Sequence, residues 1–203
     1  MLTSEAKHCF VDLLQRAHSG EKAAALAYRG HANSVRNPQE KQEILQIEKE
    51  EWHHRARLLD MLSELEEKPK KSLEITFTLI GKTIAFLCHI GGWFIPMYGA
   101  GKLERGNIVE YEVAARLAHQ ANLPQYIDEL LNFAEVEWEH EQYYRKKVES
   151  HWLKKIFPTW KMAPEQKKIR ESFNDFLKTN DLNNLATGTF TINRVSRYAK
   201  SNS

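Results

Sequence analysis

The sequence predicts an all-α protein, an up-down four-helix bundle with a C-terminal extension. Three observations lead there. Apolar residues recur at three- and four-residue spacing over long stretches, no segment alternates as a strand would, and the 203 residues include only 6 prolines and 9 glycines. With 42% hydrophobic and 28% charged residues the chain belongs with globular proteins, which excludes a disordered polymer or a polytopic membrane protein. A net charge of +2 offers no general attraction for nucleic acid. Cys9 and Cys88 match no zinc-ligand spacing and suit a reducing compartment. The opening MLTSEAKHCFVDLL carries acidic residues and too short an apolar run for a secretory signal.

The first helix is expected over residues 4–35, ended by S-V-R-N-P, where Pro38 bars continuation. The second covers 39–66 and stops at the turn-forming EEKPKK. The third begins in ITFTLIGKTIAFLCHIGGWFIPMYGAGK, residues 75–102, apolar on every face except at Lys82, His89 and Lys102, and continues as an amphipathic helix through LERGNIVEYEVAARLA. Its apolar part is long enough to span a bilayer. Its glycines, its proline and its polar continuation favour a buried bundle helix that also touches a membrane surface or an apolar ligand. A-N-L-P breaks the chain at Pro124, and the fourth helix runs to about His151. These four helices make residues 1–151 one domain.

Residues 152–203 form the extension. Between Trp152 and Arg170 it holds six Lys or Arg against one Glu, interleaved with Trp152, Ile156, Phe157 and Trp160. That mixture suits either a membrane surface or packing on the bundle. Beyond Asn180 the Asn/Thr/Ser-rich sequence reads as loop.

The chemistry lies in the phase of a few polar residues. In EKEEWHHR, two Glu-x-x-His registers are available. Steps of three and four through Glu51 and His54 give Ile44, Ile47, Leu58, Met61 and Leu65, an apolar stripe interrupted only by the pair. The same steps through Glu50 and His53 give Glu43, Gln46, Arg57, Asp60 and Glu64, which is a solvent face. Glu51 and His54 therefore point inward. On the fourth helix Glu137 and His140 share their stripe with Tyr126, Leu130, Phe133 and Tyr144, while Glu135, Glu139 and Glu141 fall on other faces. On the first helix Glu21 is in phase with Phe10, Leu14, Ala17, Ala24 and Tyr28. On the third, Glu104 falls in line with Met97, Ala100, Ile108 and Tyr111, Glu110 shares a face with Leu103 and Leu117, and Glu112 shares one with Arg105 and Arg116. Phase favours Glu104 and leaves Glu110 open.

Inward carboxylates and imidazoles are costly to bury unless paired or coordinated. A common partner for several of them is a pair of metal ions, with Glu-x-x-His placing both donors on one helix face. Oxygen-rich ligation with one His per metal suits iron or manganese better than zinc or copper. His18 is open between a supporting role and a place on the helix surface.

With these residues in view, the chain resembles the ferritin-like superfamily and, within it, the demethoxyubiquinone hydroxylase family. HSGEKAAALAYRGHA resembles that family's H-A-G-E-x-x-A-x-x-x-Y, whose Glu is an iron ligand and falls on Glu21. The following Glu-x-x-His falls on Glu51 and His54. LERGNIVEY resembles V-E-x-x-I-x-x-H-Y, which supports Glu104 and matches Tyr111 to the Tyr; EVEWEH resembles D-E-E-x-E-H, giving Glu137 and His140. The likeness covers residues 8–150. Glu110 stands where the family has His, the third connection is shorter, and the tail after His151 is unlike the family's.

The resemblance implies a di-iron monooxygenase with ligands Glu21, Glu51, His54, Glu104, Glu137 and His140, the four glutamates serving catalysis and Tyr28, Tyr111 and Tyr144 lining the pocket. It implies O2, an electron donor and an apolar, quinone-precursor-like substrate as partners, with membrane contact through the third helix. The expected location is the cytoplasm or the inner face of a membrane; self-association is compatible with this, and nucleic acid is not an expected partner. Two other readings remain: a different activity of the same centre (ferroxidase, peroxidase or oxidase), or a non-catalytic membrane-associated helical protein.

Overall fold

The structure, a computed structural model, describes residues 2–187, with side-chain surroundings over 3–179. Residues 188–203 lie outside the described residues, as does most of the expected terminal loop. Everything described is helix, turn or short connection, so the all-α class holds. In order come α1 (Leu2–Ser34), α2 (Pro38–Glu64), α3 (Lys71–Ile90), α4 (Phe94–Gln120), a 3-10 turn at Pro124–Tyr126, α5 (Ile127–Glu149), a second 3-10 turn at Trp152–Lys155, and α6 (Lys167–Thr187). The expected loop beyond Asn180 is thus helical as far as Thr187.

Local chemistry sets the boundaries. Pro38 opens α2, and the Asn37 side chain caps it by accepting from the Gln39 and Glu40 amides at 2.9 and 3.3 Å. The single third helix expected from periodicity is two. Gly91 and Gly92 separate α3 from α4, with Gly92 at φ +67°, where a side chain would be strained, and Pro96 falls in the first turn of α4. Asn122, at φ 58°, closes α4 as the Leu123 amide reaches back to the Ala118 carbonyl at 2.9 Å.

The backbone divides into two compact units, one of Val11–Lys102 with Gln142–Trp160, the other of Met1–Phe10, Leu103–Glu141 and Lys161–Ser203. Helices α1, α4 and α5 each contribute to both. The first unit's core draws Tyr28 and Ala32 from α1, Ile44 and Ile47 from α2, Phe94 and Met97 from α4, and Tyr144 and Val148 from α5. Here α3 crosses α1 at very short range: a Cβ on Gly30 would meet Ala85 at 2.4 Å, and one on Gly81 would meet the Ala23 carbonyl at 2.6 Å. Gly20, by contrast, is in ordinary contact. The rest of α3 contradicts the expectation of a buried helix. It buries only Gly81 and Cys88, and it exposes Ile75 (71%), Leu79 (67%), Phe86 (65%) and Ile90 (68%). By length and composition it could cross a membrane. After α5, Trp160 packs over Gly101, against Tyr98 and over the Arg145 guanidinium, whereas Trp152 and Ile156 stay exposed.

In the second unit α6 packs through buried Ile169 and Phe173. Arg170 donates to Glu135 at 2.7 Å and to Asp128 at 2.6 Å, and Gln166 donates to the Glu135 carbonyl at 3.2 Å. The extension therefore anchors partly by packing, while Trp152 stays largely exposed.

Candidate metal centre

Every polar residue singled out by phase is buried together with its stripe. Glu21, Glu51, His54, Glu104, Glu137 and His140 are all at or below 5% exposure, as are Leu14, Ile47, Leu58, Met97, Ile108, Phe133 and Tyr144 along the same faces. The polar registers stay out: His53 is exposed and Glu50 only half-buried. Glu110, the alternative on α4, is half-buried and joins neither group of donors below. Glu112 is half-buried, 3.8 Å from Arg116.

In the first unit, Glu21 on α1 and Glu51 and His54 on α2 bring one donor atom each within 4.8 Å of one another. The second unit does the same with Glu104 on α4 and Glu137 and His140 on α5. Each set has two carboxylates, one imidazole and one Glu-x-x-His turn. In the second set Asn107 donates to Glu104 Oε2 at 2.8 Å and to Glu137 Oε2 at 3.4 Å, which fixes both carboxylates. His140 Nδ1 lies 3.7 Å from Glu137 Oε2. Burial, and then the Glu137 charge beside it, pushes the Glu104 carboxyl well above the usual carboxylate range, with His140 opposing.

This chemistry fits a divalent cation. Two acids confined in a dry interior repel each other unless protonated or bridged by positive charge, and a hard cation supplies that charge while taking oxygen and imidazole donors together. Buried aromatic rings share these helix faces. Tyr28 stacks on Tyr144 at 5.8 Å in the first unit, and Tyr111 meets Phe133 edge-on at 5.3 Å in the second.

Sequence phase missed the supporting groups. His18 is buried, at 2% exposure, which removes the helix-surface alternative. Its Nδ1 lies 3.1 Å from Glu74 Oε1, and Arg55, next to His54 in sequence, donates to both Glu74 oxygens at 3.0 and 2.8 Å. Ser19 and Lys22 donate to the same carboxylate. Burial tends to raise Glu74, but these hydrogen bonds and the Arg55 charge hold it down at about 2. Burial, helped by Arg55, lowers His18 to about 4, so it is neutral at physiological pH. Asn107 had a local signal, one turn from Glu104; Glu74 had none, since a lone Glu in the first turn of an apolar helix looks like a solvated cap. Glu141, assigned to another face, is nevertheless fully buried. Glu48 is buried as well, held by Arg29 at 2.6 Å and Trp52 at 3.1 Å.

No family model, curated protein or solved structure matches the chain. The functional reading therefore rests on these residues and their chemistry.

Proposed function

We propose that each donor set holds an iron or manganese ion, as expected of a ferritin-like di-metal four-helix bundle, and that the protein is an O2-dependent monooxygenase acting on an apolar, quinone-precursor-like ring. The observation that carries this reading is the match between the sets. Each buries two Glu and one His at the same phase of consecutive helices, a combination too costly to keep dry without a shared positive charge.

Iron or manganese held there would supply the redox chemistry for O2 activation. The chain's residues do the rest. Glu21, Glu51, His54, Glu104, Glu137 and His140 hold the ions, and Asn107 restrains two of the carboxylates. The buried tyrosine and phenylalanine rings on the same helix faces would exclude water and offer an apolar surface to a ring. Hydroxylation balances as O2 plus a ring C–H, two electrons and two protons, giving the ring C–OH and water. The electrons come from an external donor.

The exposed apolar face of α3 supports peripheral attachment to a membrane, the phase in which such a substrate would concentrate. Protein produced with iron, reduced anaerobically and exposed to O2, is expected to develop a new optical absorption and, with a demethoxy-quinol and a reductant, to give a product heavier by one oxygen. Iron oxidation without oxygen insertion into the quinol would shift the reading to a ferroxidase. Absence of both changes would remove the oxygenase reading.

A further inference from the structure

The Glu74–Arg55–His18 network determines which nitrogen of His18 carries the proton. Arg55 Nη1 has two hydrogens. One goes to the His18 carbonyl oxygen and the other to Glu74 Oε1 at 3.0 Å. The approach of Nη1 to His18 Nδ1, at 3.3 Å, is the longest of its three contacts and shares a hydrogen with one of these oxygens. The closer partner of Nδ1 is the ionised Glu74 Oε1 at 3.1 Å, an acceptor, which favours Nδ1 as the protonated nitrogen donating to it. Nε2 is left as a bare lone pair, buried and without a hydrogen-bond partner among the described residues. A carboxylate that takes one ring N–H and leaves the other nitrogen bare is how proteins orient an imidazole to act as an electron-pair donor. A bare buried acceptor carries a desolvation cost that a bound molecule would relieve. His18 precedes Glu21 by one helical turn, on the same side of α1.

We infer that His18 is a positioning residue whose Nε2 accepts a hydrogen bond from an O–H group, a water or a hydroxylated ligand, held beside Glu21 when a metal ion occupies the Glu21–Glu51–His54 set. The inference rests on the metal-centre reading. His18 is placed outside the ligand set itself, since it does not join the donor atoms that converge there. Glu74 sets the tautomer, Arg55 fixes Glu74, and Ser19 and Lys22 complete the carboxylate's bonding.

The test is side-chain nitrogen NMR on the full 15N-labelled chain, metal-free and then titrated with zinc(II) as a diamagnetic probe, with His18→Gln to assign the signal and to count zinc. The expected result is an Nδ1–H tautomer in the metal-free chain and an Nε2 resonance that moves on zinc uptake while Nδ1–H persists. His18→Gln should retain the wild-type zinc stoichiometry, and Glu74→Gln should relax the tautomer preference. An Nε2–H tautomer in the metal-free chain, or zinc uptake with Nε2 unmoved, overturns the inference alone. Loss of bound zinc in His18→Gln would make His18 a ligand and also overturns it. A chain that takes up no zinc overturns the metal-centre reading and this inference with it.

Discussion

Glu104 shows how a buried acid can oppose stability. Burial and the neighbouring Glu137 charge raise its carboxyl well above the ordinary range, so the metal-free protein holds it at a cost. Glu104→Gln keeps the shape and removes the repulsion. It is expected to raise the melting temperature of the metal-free protein while abolishing any further rise on adding metal, which thermal scans with and without iron would show. His31 has a different signature. Burial lowers it to about 4, against the Glu40 charge, whereas the unfolded chain binds a proton near pH 6.5. The unfolded state therefore gains protons first as pH falls. Stability is complete above about pH 6.5 and is lost down to about pH 4, by an amount on the order of 3 kcal/mol. Glu74 adds a second loss between about 4.5 and 2 as its carboxylate is protonated. Urea melts at pH 7 and pH 4.5 should reveal the first loss, to which His18, also lowered to about 4, contributes in the same window, and His31→Gln should reduce it.

The α1–α3 crossing is a steric prediction. Gly30 faces the Ala85 backbone with no room for a Cβ, so Gly30→Ala is expected to destabilise by about 1–3 kcal/mol despite alanine's better helix propensity. Gly99, on the exposed side of α4, meets nothing within 4 Å, and Gly99→Ala should stabilise by roughly 0.5–1 kcal/mol. Denaturant midpoints of the two variants should move in opposite directions. Helical phase located the buried Glu and His residues well, because a residue in line with Leu14 or Met97 must be buried with it. It also separated Glu104 from Glu110. It could not locate the break at Gly91–Gly92, since apolar residues continue on both sides and hide a two-residue interruption. Nor could it show that α3 leaves most of its apolar surface uncovered: hydrophobicity records a preference for leaving water, and it does not say whether protein or lipid provides the escape.

Across the chain as a whole, the proposed partners are a metal at the buried Glu/His sets and a membrane at the exposed apolar face of α3. A metal bound at a hundred times its dissociation constant adds about 2.7 kcal/mol to stability. For a chain of this length that raises the melting temperature by about 5–10 °C, and a chelator should reverse it. The Glu74 network was illegible in sequence for a related reason: it joins residues 37 and 19 positions apart, and no local pattern announces such a pairing. The most direct test of the central claim is the metal content of protein produced with iron, measured by elemental analysis on wild type, Glu51→Ala and Glu137→Ala. Two metal ions per wild-type chain, with loss in both variants, is the expected result. Wild type without stoichiometric metal, or variants that bind as much as wild type, would contradict it.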